Sequence, residues 1–101
     1  MIGREFRFHD GKKGAALAIR IIKKSSDNLI RKVLKDGTVV IHLKGNVEEP
    51  GSILIKYLAS ELNMDPERFD IIEVKEGVDV LLSILDIEPG EIQKLILENI
   101  S

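Results

Sequence analysis

The chain has 101 residues, 44% of them hydrophobic and 32% charged, with no cysteine and no tryptophan. That length and composition describe one globular domain, too short for two and too apolar for a disordered chain. Disulfides and thiolate metal sites are excluded, the two histidines lie 33 positions apart instead of at zinc-ligand spacing, and no run approaches the roughly 18 apolar residues of a membrane span.

The first ten residues hold no apolar run of the kind a secretory signal needs, so the expected location is cytoplasmic. The net charge of −2 is unevenly distributed: residues 1–44 balance to +7 and residues 45–101 to −9. Either the two halves neutralise each other on packing, or a basic surface meets an anionic partner.

In chain order, Arg4 to His9 reads as a short extended lead-in, and Asp10-Gly11-Lys12-Lys13-Gly14 as a turn. Ala15 to Ile22 is a strand with Leu17, Ile19 and Ile21 on one face and Arg20 on the other. Lys23 to Asn28 is a polar loop.

Leu29 to Lys44 is a hairpin around Lys35-Asp36-Gly37-Thr38, with Asp36-Gly37 expected as a type I′ pair. Counting outward from that pair sets Arg31 opposite His42, Val33 opposite Val40 and Lys32 opposite Ile41. The core face then carries Ile30, Leu34, Val39, Ile41 and Leu43, with Lys32 as its odd member. The other face carries Arg31, His42 and Lys44, with Val33 and Val40.

After a loop holding Glu48-Glu49-Pro50, Ser52 to Asn63 is an amphipathic helix with the stripe Ile55, Leu58, Ala59, Leu62, widened by Leu54. Pro66 starts a turn. Phe69 to Val74 and the nearly all-apolar Val80 to Leu85 are strands, the second expected to be central. Pro89 leads into a last helix, Glu91 to Ile100, with Ile92, Leu95, Ile96 and Ile100 toward the core. Two helices cannot cover both faces of a sheet of four to five strands. The expected fold is therefore a two-layer α+β domain: a mixed, mostly antiparallel sheet with both helices on one face and the other face open.

Gly14-Ala15-Ala16-Leu17-Ala18-Ile19-Arg20, Asp36-Gly37-Thr38-Val39 with Ile41-His42-Leu43, Leu54-Ile55-Lys56-Tyr57-Leu58-Ala59 and Phe69-Asp70-Ile71-Ile72 resemble the YggU-like family, domain of unknown function 167. The resemblance runs from about Asp10 to Ile96 and implies fold, not chemistry. The family's Gly-Lys-Ala-Asn motif is replaced here: its lysine position is Glu49 and its asparagine position Gly51. Its Gly…Arg-x-Lys motif is replaced by Val74, Val78 and Val80. No functional residue carries over.

No catalytic, cofactor or metal set emerges. Gly11-Lys12-Lys13-Gly14 lacks phosphate-loop spacing, and His9-Asp10 has no nucleophile nearby in sequence. Glu48, Glu49, Asp65, Glu67, Asp70 and Glu73 do not have calcium-loop spacing and read as solvated surface. The open sheet face is the candidate partner-binding surface, through Arg20, Arg31, His42 and Lys44, with no aromatic side chain expected on it. The leading reading is a non-enzymatic binding or structural module. Its occupant would be an acidic protein, RNA, or a second copy in a homodimer; an enzyme of unknown type is the least supported reading.

Overall fold

The computed structural model describes residues 2–8, 10–45 and 50–100. The expected loop position Glu48-Glu49 and His9 lie outside the described residues. The described elements are β1 (Arg4–Arg7), β2 (Lys13–Ser25), β3 (Leu29–Val33), β4 (Val39–Lys44), α1 (Pro50–Glu61), a single 3₁₀ turn (Pro66–Arg68), β5 (Phe69–Lys75), β6 (Asp79–Leu85) and α2 (Pro89–Glu98). They form one mixed, mostly antiparallel sheet in the order β3-β4-β2-β6-β5, with β1 added alongside β2. The sheet thus has six strands, not four to five, because the charged lead-in is itself a strand.

β2 organises the sheet. One edge pairs with β6 from Gly14 to Arg20. The other edge is shared: its first residues take β1 antiparallel, and Ile19 to Ile22 take β4 in parallel. Alternation along β2 sends Ala15, Leu17, Ile19 and Ile21 to the helices. They meet Leu54, Leu58, Ala59, Ile92 and Ile96 in one almost wholly aliphatic core, in which Phe69 is the aromatic member. Both helices cover this face, as the patterning requires, and β6 lies inside the sheet as its apolar run demands.

The hairpin differs from expectation. Gly37 donates to the Leu34 carbonyl (2.9 Å) and Leu34 to Thr38 (2.8 Å), so the loop has three residues. Gly37 takes φ +92° while Asp36 is not in the positive-φ region. This is a type I turn closed by a glycine bulge. The register follows: Val33 faces Val39, Lys32 faces Val40, and after a bulge at Arg31, Ile30 faces Ile41 and Leu29 faces His42. The odd position of Lys32 disappears, since Lys32 stands on the open face and Val33 on the core side. The type I′ geometry occurs instead at Glu76-Gly77, with φ of +54° and +70°.

Asp36 holds the β3–β4 loop by accepting the Thr38 amide at 2.9 Å, and this bond keeps its carboxyl below the usual range. A depressed folded pKa adds stability that is present above the unfolded pKa and fades as pH falls through the folded one. Asp36→Ala is expected to lower the thermal midpoint at neutral pH, with the gap to native closing toward acid. A gap that stays constant across that range would exclude this role.

The helix boundaries sit two residues earlier than the patterns suggest. α1 ends in a Schellman motif: Met64 donates to Ala59 (2.8 Å), Asn63 to Ser60 (3.3 Å), and Asn63 takes φ +55°. α2 starts with Pro89 in its first turn, and Ile100 lies past its end, bridging Ile30 at the β3 edge instead of extending the helical stripe. The Arg68 guanidinium donates to the carbonyls of Leu85 (2.9 Å) and Asp86 (2.7 Å), tying the 3₁₀ turn to the β6–α2 turn.

Candidate binding face

The second face of the sheet carries no helix. Register defines its rows across the strands. Phe6, Gly14 and Leu85 form one; Arg4, Ala16, Ser83 and Asp70 the next; then Ala18, Leu81 and Glu73. Lys32, Val40, Arg20, Asp79 and Lys75 follow, and Leu29, His42 and Ile22 complete the set. Apart from His42 and the Arg20–Asp79 pair, the middle columns are small or apolar, with Ala16, Val40 and Ser83 already buried and Ile22 41% exposed. The rims are charged. Arg4 and Lys32 stand on the β1/β3 side, and Asp70, Glu73 and Lys75 on the β5 side, all exposed, with Lys75 paired to Glu73 at 4.0 Å.

The expected cluster is partly assembled. Arg31 and His42 line one shallow depression of about 520 Å³ with Ile22, Lys32 and Val40. The bulge, not direct pairing, brings Arg31 there. Arg20 shares the face but belongs to a different depression, where its Nε donates to Asp79 at 2.9 Å. That hydrogen bond raises the Arg20 pKa and offsets its charge. Lys44 closes β4, beyond the Arg31–His42 depression.

The largest difference from the sequence reading is aromatic. Phe6 faces Gly14 across β1–β2, which puts it on the open face. Its ring meets Phe8 edge to face, with centroids 4.8 Å apart. Both rings border a depression of about 500 Å³ that crosses to Asp70, Ile72 and Ser83. The small residues Gly14, Ala16 and Ser83 lie in the rows beneath this end of the face, and Ser83 donates to the Asp70 carbonyl at 3.4 Å. A glycine in a strand marks close approach of another group, and Gly14 was the one signal in the sequence.

Among the described residues, no group of three or more His, Cys, Asp or Glu side chains is placed to hold a metal ion, and no helix is long and apolar enough to cross a membrane. Compared with known proteins, the chain matches no family model and no curated protein.

Proposed function

We propose that the chain is a non-enzymatic binding module whose working surface is the helix-free face of the sheet. The observation that carries this reading is the anatomy of that face: an apolar, small-residue centre, an aromatic pair at one end and charged rims. Protein interfaces are built this way, with an apolar core and a polar rim. Among the described residues its depressions are shallow and bring no nucleophile to a base.

RNA is the second reading, favoured by Phe6 and Phe8 as stacking surfaces and by the Arg31–His42 depression. Against it, eight residues of β2 separate the two features, about 26 Å. Asp70 borders the aromatic end, and Asp79 offsets Arg20 between the two ends. A phosphate backbone laid along this path would meet carboxylates.

Amide-resolved NMR of the labelled chain tests the surface, with protein concentration raised in one series and a mixed RNA pool added at low and moderate salt in another. Shifts are expected at Ala16, Ala18, Ile22 and Leu81. Shifts confined to the helix layer, at Lys56, Ser60 and Lys94, would overturn the assignment. RNA-induced shifts that vanish steeply with salt would instead select the second reading.

A further inference from the structure

We infer, with the binding-face reading as premise, that the depression lined by Ile22, Arg31, Lys32, Val40 and His42 receives an acidic segment of a partner protein. A carboxylate of that segment sits among the three basic side chains, and an aliphatic side chain covers Ile22. The depression has a volume of about 520 Å³, and among the described residues that line it every ionisable side chain is basic. Two other depressions on this face contain carboxylates. Asp70 borders that of Phe6 and Phe8, and Glu73 and Asp79 border that of Arg20.

The bulge in β3 produces this composition. Ile30 faces Ile41 and Lys32 faces Val40, so Arg31 and Lys32 both stand opposite the single residue Val40. In a regular strand, two successive side chains point to opposite faces of the sheet. Here both border the same depression. A bulge re-aims a side chain at the cost of local pairing, and bulges recur beside functional sites for that reason. A carboxylate above Val40 meets Arg31 and Lys32 from β3 and His42 from β4, and hydrogen bonds from charged donors are the stronger kind.

The rest of the depression is apolar. Val40 is buried, and Ile22, which pairs with His42, is 41% exposed. An exposed isoleucine beside cations favours an anion carried on an aliphatic body over a bare ion, because covering it removes apolar surface from water. The spacing suits an extended chain. The Lys32–Val40 row and the His42–Ile22 row lie two residues apart along β4, about 6.6 Å, and alternate side chains of an extended peptide have the same separation. An acidic residue and an aliphatic residue two positions later therefore fall on the two rows.

The basic surface is short, which favours such a segment over RNA. Arg20, next to Val40 in its row, is paired with Asp79 at 2.9 Å, so the track of positive charge stops there. No phenyl, phenol or indole ring lines the depression among the described residues. A nucleic-acid strand needs a longer basic groove and rings for its bases to stack on. One or two carboxylates match the length available.

The test adds three probes to the intact labelled chain and follows its amides by NMR. The probes are a blocked peptide alternating glutamate with leucine, its analogue alternating glutamine with leucine, and a single-stranded RNA. The glutamate peptide is expected to shift Ile22, Arg31, Lys32 and His42, and the glutamine peptide to bind about tenfold more weakly or worse. Lys32→Glu should raise the Kd for the glutamate peptide about tenfold or more, and His42→Gln should raise it too. Lys56→Glu, the same charge change on the helix layer, should leave it within about twofold. All three positions are exposed or half-exposed, so circular dichroism should report an unchanged fold. Equal binding of the two peptides, or equal losses in Lys32→Glu and Lys56→Glu, would overturn the proposal. RNA binding more tightly than the glutamate peptide at these amides, or peptide shifts confined to Ala18 and Leu81, would overturn the acidic segment and leave the binding face standing. No shift at any open-face amide with any probe would overturn both.

Discussion

Gly14→Ala is expected to destabilise the fold by about 3 kcal/mol or more, measured by urea denaturation. The cause is space, since Gly14 does not adopt the left-handed conformation. A Cβ built there falls inside the contact distance of the Ile84 carbonyl oxygen and 2.9 Å from the Phe8 ring. The first obstacle is the backbone of β6, which cannot rotate away as a side chain can. The strands would have to part at the place where β2 takes β1 on one edge and β6 on the other. Gly90→Ala is the matched control. Nothing lies within 4 Å of its Cβ position in the first turn of α2, so that change should be neutral or stabilising by up to about 1 kcal/mol. Equal effects at the two glycines would show that the β2–β6 approach is not as close as described. A folded Gly14→Ala protein should also displace Phe8, and with it the wall of the Phe6–Phe8 depression, so the same substitution reports on the binding face.

The sequence was legible wherever periodicity met burial. Leu17, Ile19 and Ile21 repeat at two and are buried; Leu54, Leu58 and Ala59 repeat as a helix and are buried; the apolar run of β6 lies inside the sheet. What was not legible depended on single backbone choices. Asp-Gly supports both a two-residue and a three-residue loop. Asp36 capping Thr38 favours the longer one, and one added loop residue shifts the register of Val33 and Lys32 to the opposite faces. The bulge at Arg31 adds a second offset, so Ile30 faces Ile41 instead of Leu43 and is back on the core face. Bulges have no fixed residue signature, and two offsets of one residue restored the face while leaving the register two residues away. β1 was hidden for a different reason. Its four residues alternate charge with Phe6, too short and too polar to give a periodic signal, and its place is set by β2, not by its own pattern. Phe6 and Phe8 therefore reached the open face unannounced. Arg20, Arg31 and His42 were placed on the open face correctly, but their spatial grouping depended on register and on Asp79, a residue 59 positions away from Arg20.

Leu17→Ala and Leu81→Ala differ mainly in the face they occupy, and the contrast between them measures how one-sided the sheet is. Leu17 is fully buried against the helix layer in the middle of β2. Its truncation leaves a cavity among Leu82, Ile92 and neighbours and should cost about 2–5 kcal/mol, a large share of the 5–15 kcal/mol available to a small domain. Leu81 stands in β6 beside Ala18 on the open face and is half-exposed. In an isolated chain its truncation should cost less than about 1 kcal/mol. Denaturation at two protein concentrations then tests a second copy as the occupant of that face. A dimer that forms only from folded chains gains stability with concentration, and a chain that remains a monomer does not. If two sheets stack through the Ala18–Leu81 row, the native midpoint rises with concentration, Leu17→Ala keeps that slope at a lower midpoint, and Leu81→Ala flattens it. A flat native midpoint would place the open face in water when the chain is alone. The apolar centre between its charged rims would then have to be explained by a partner other than itself.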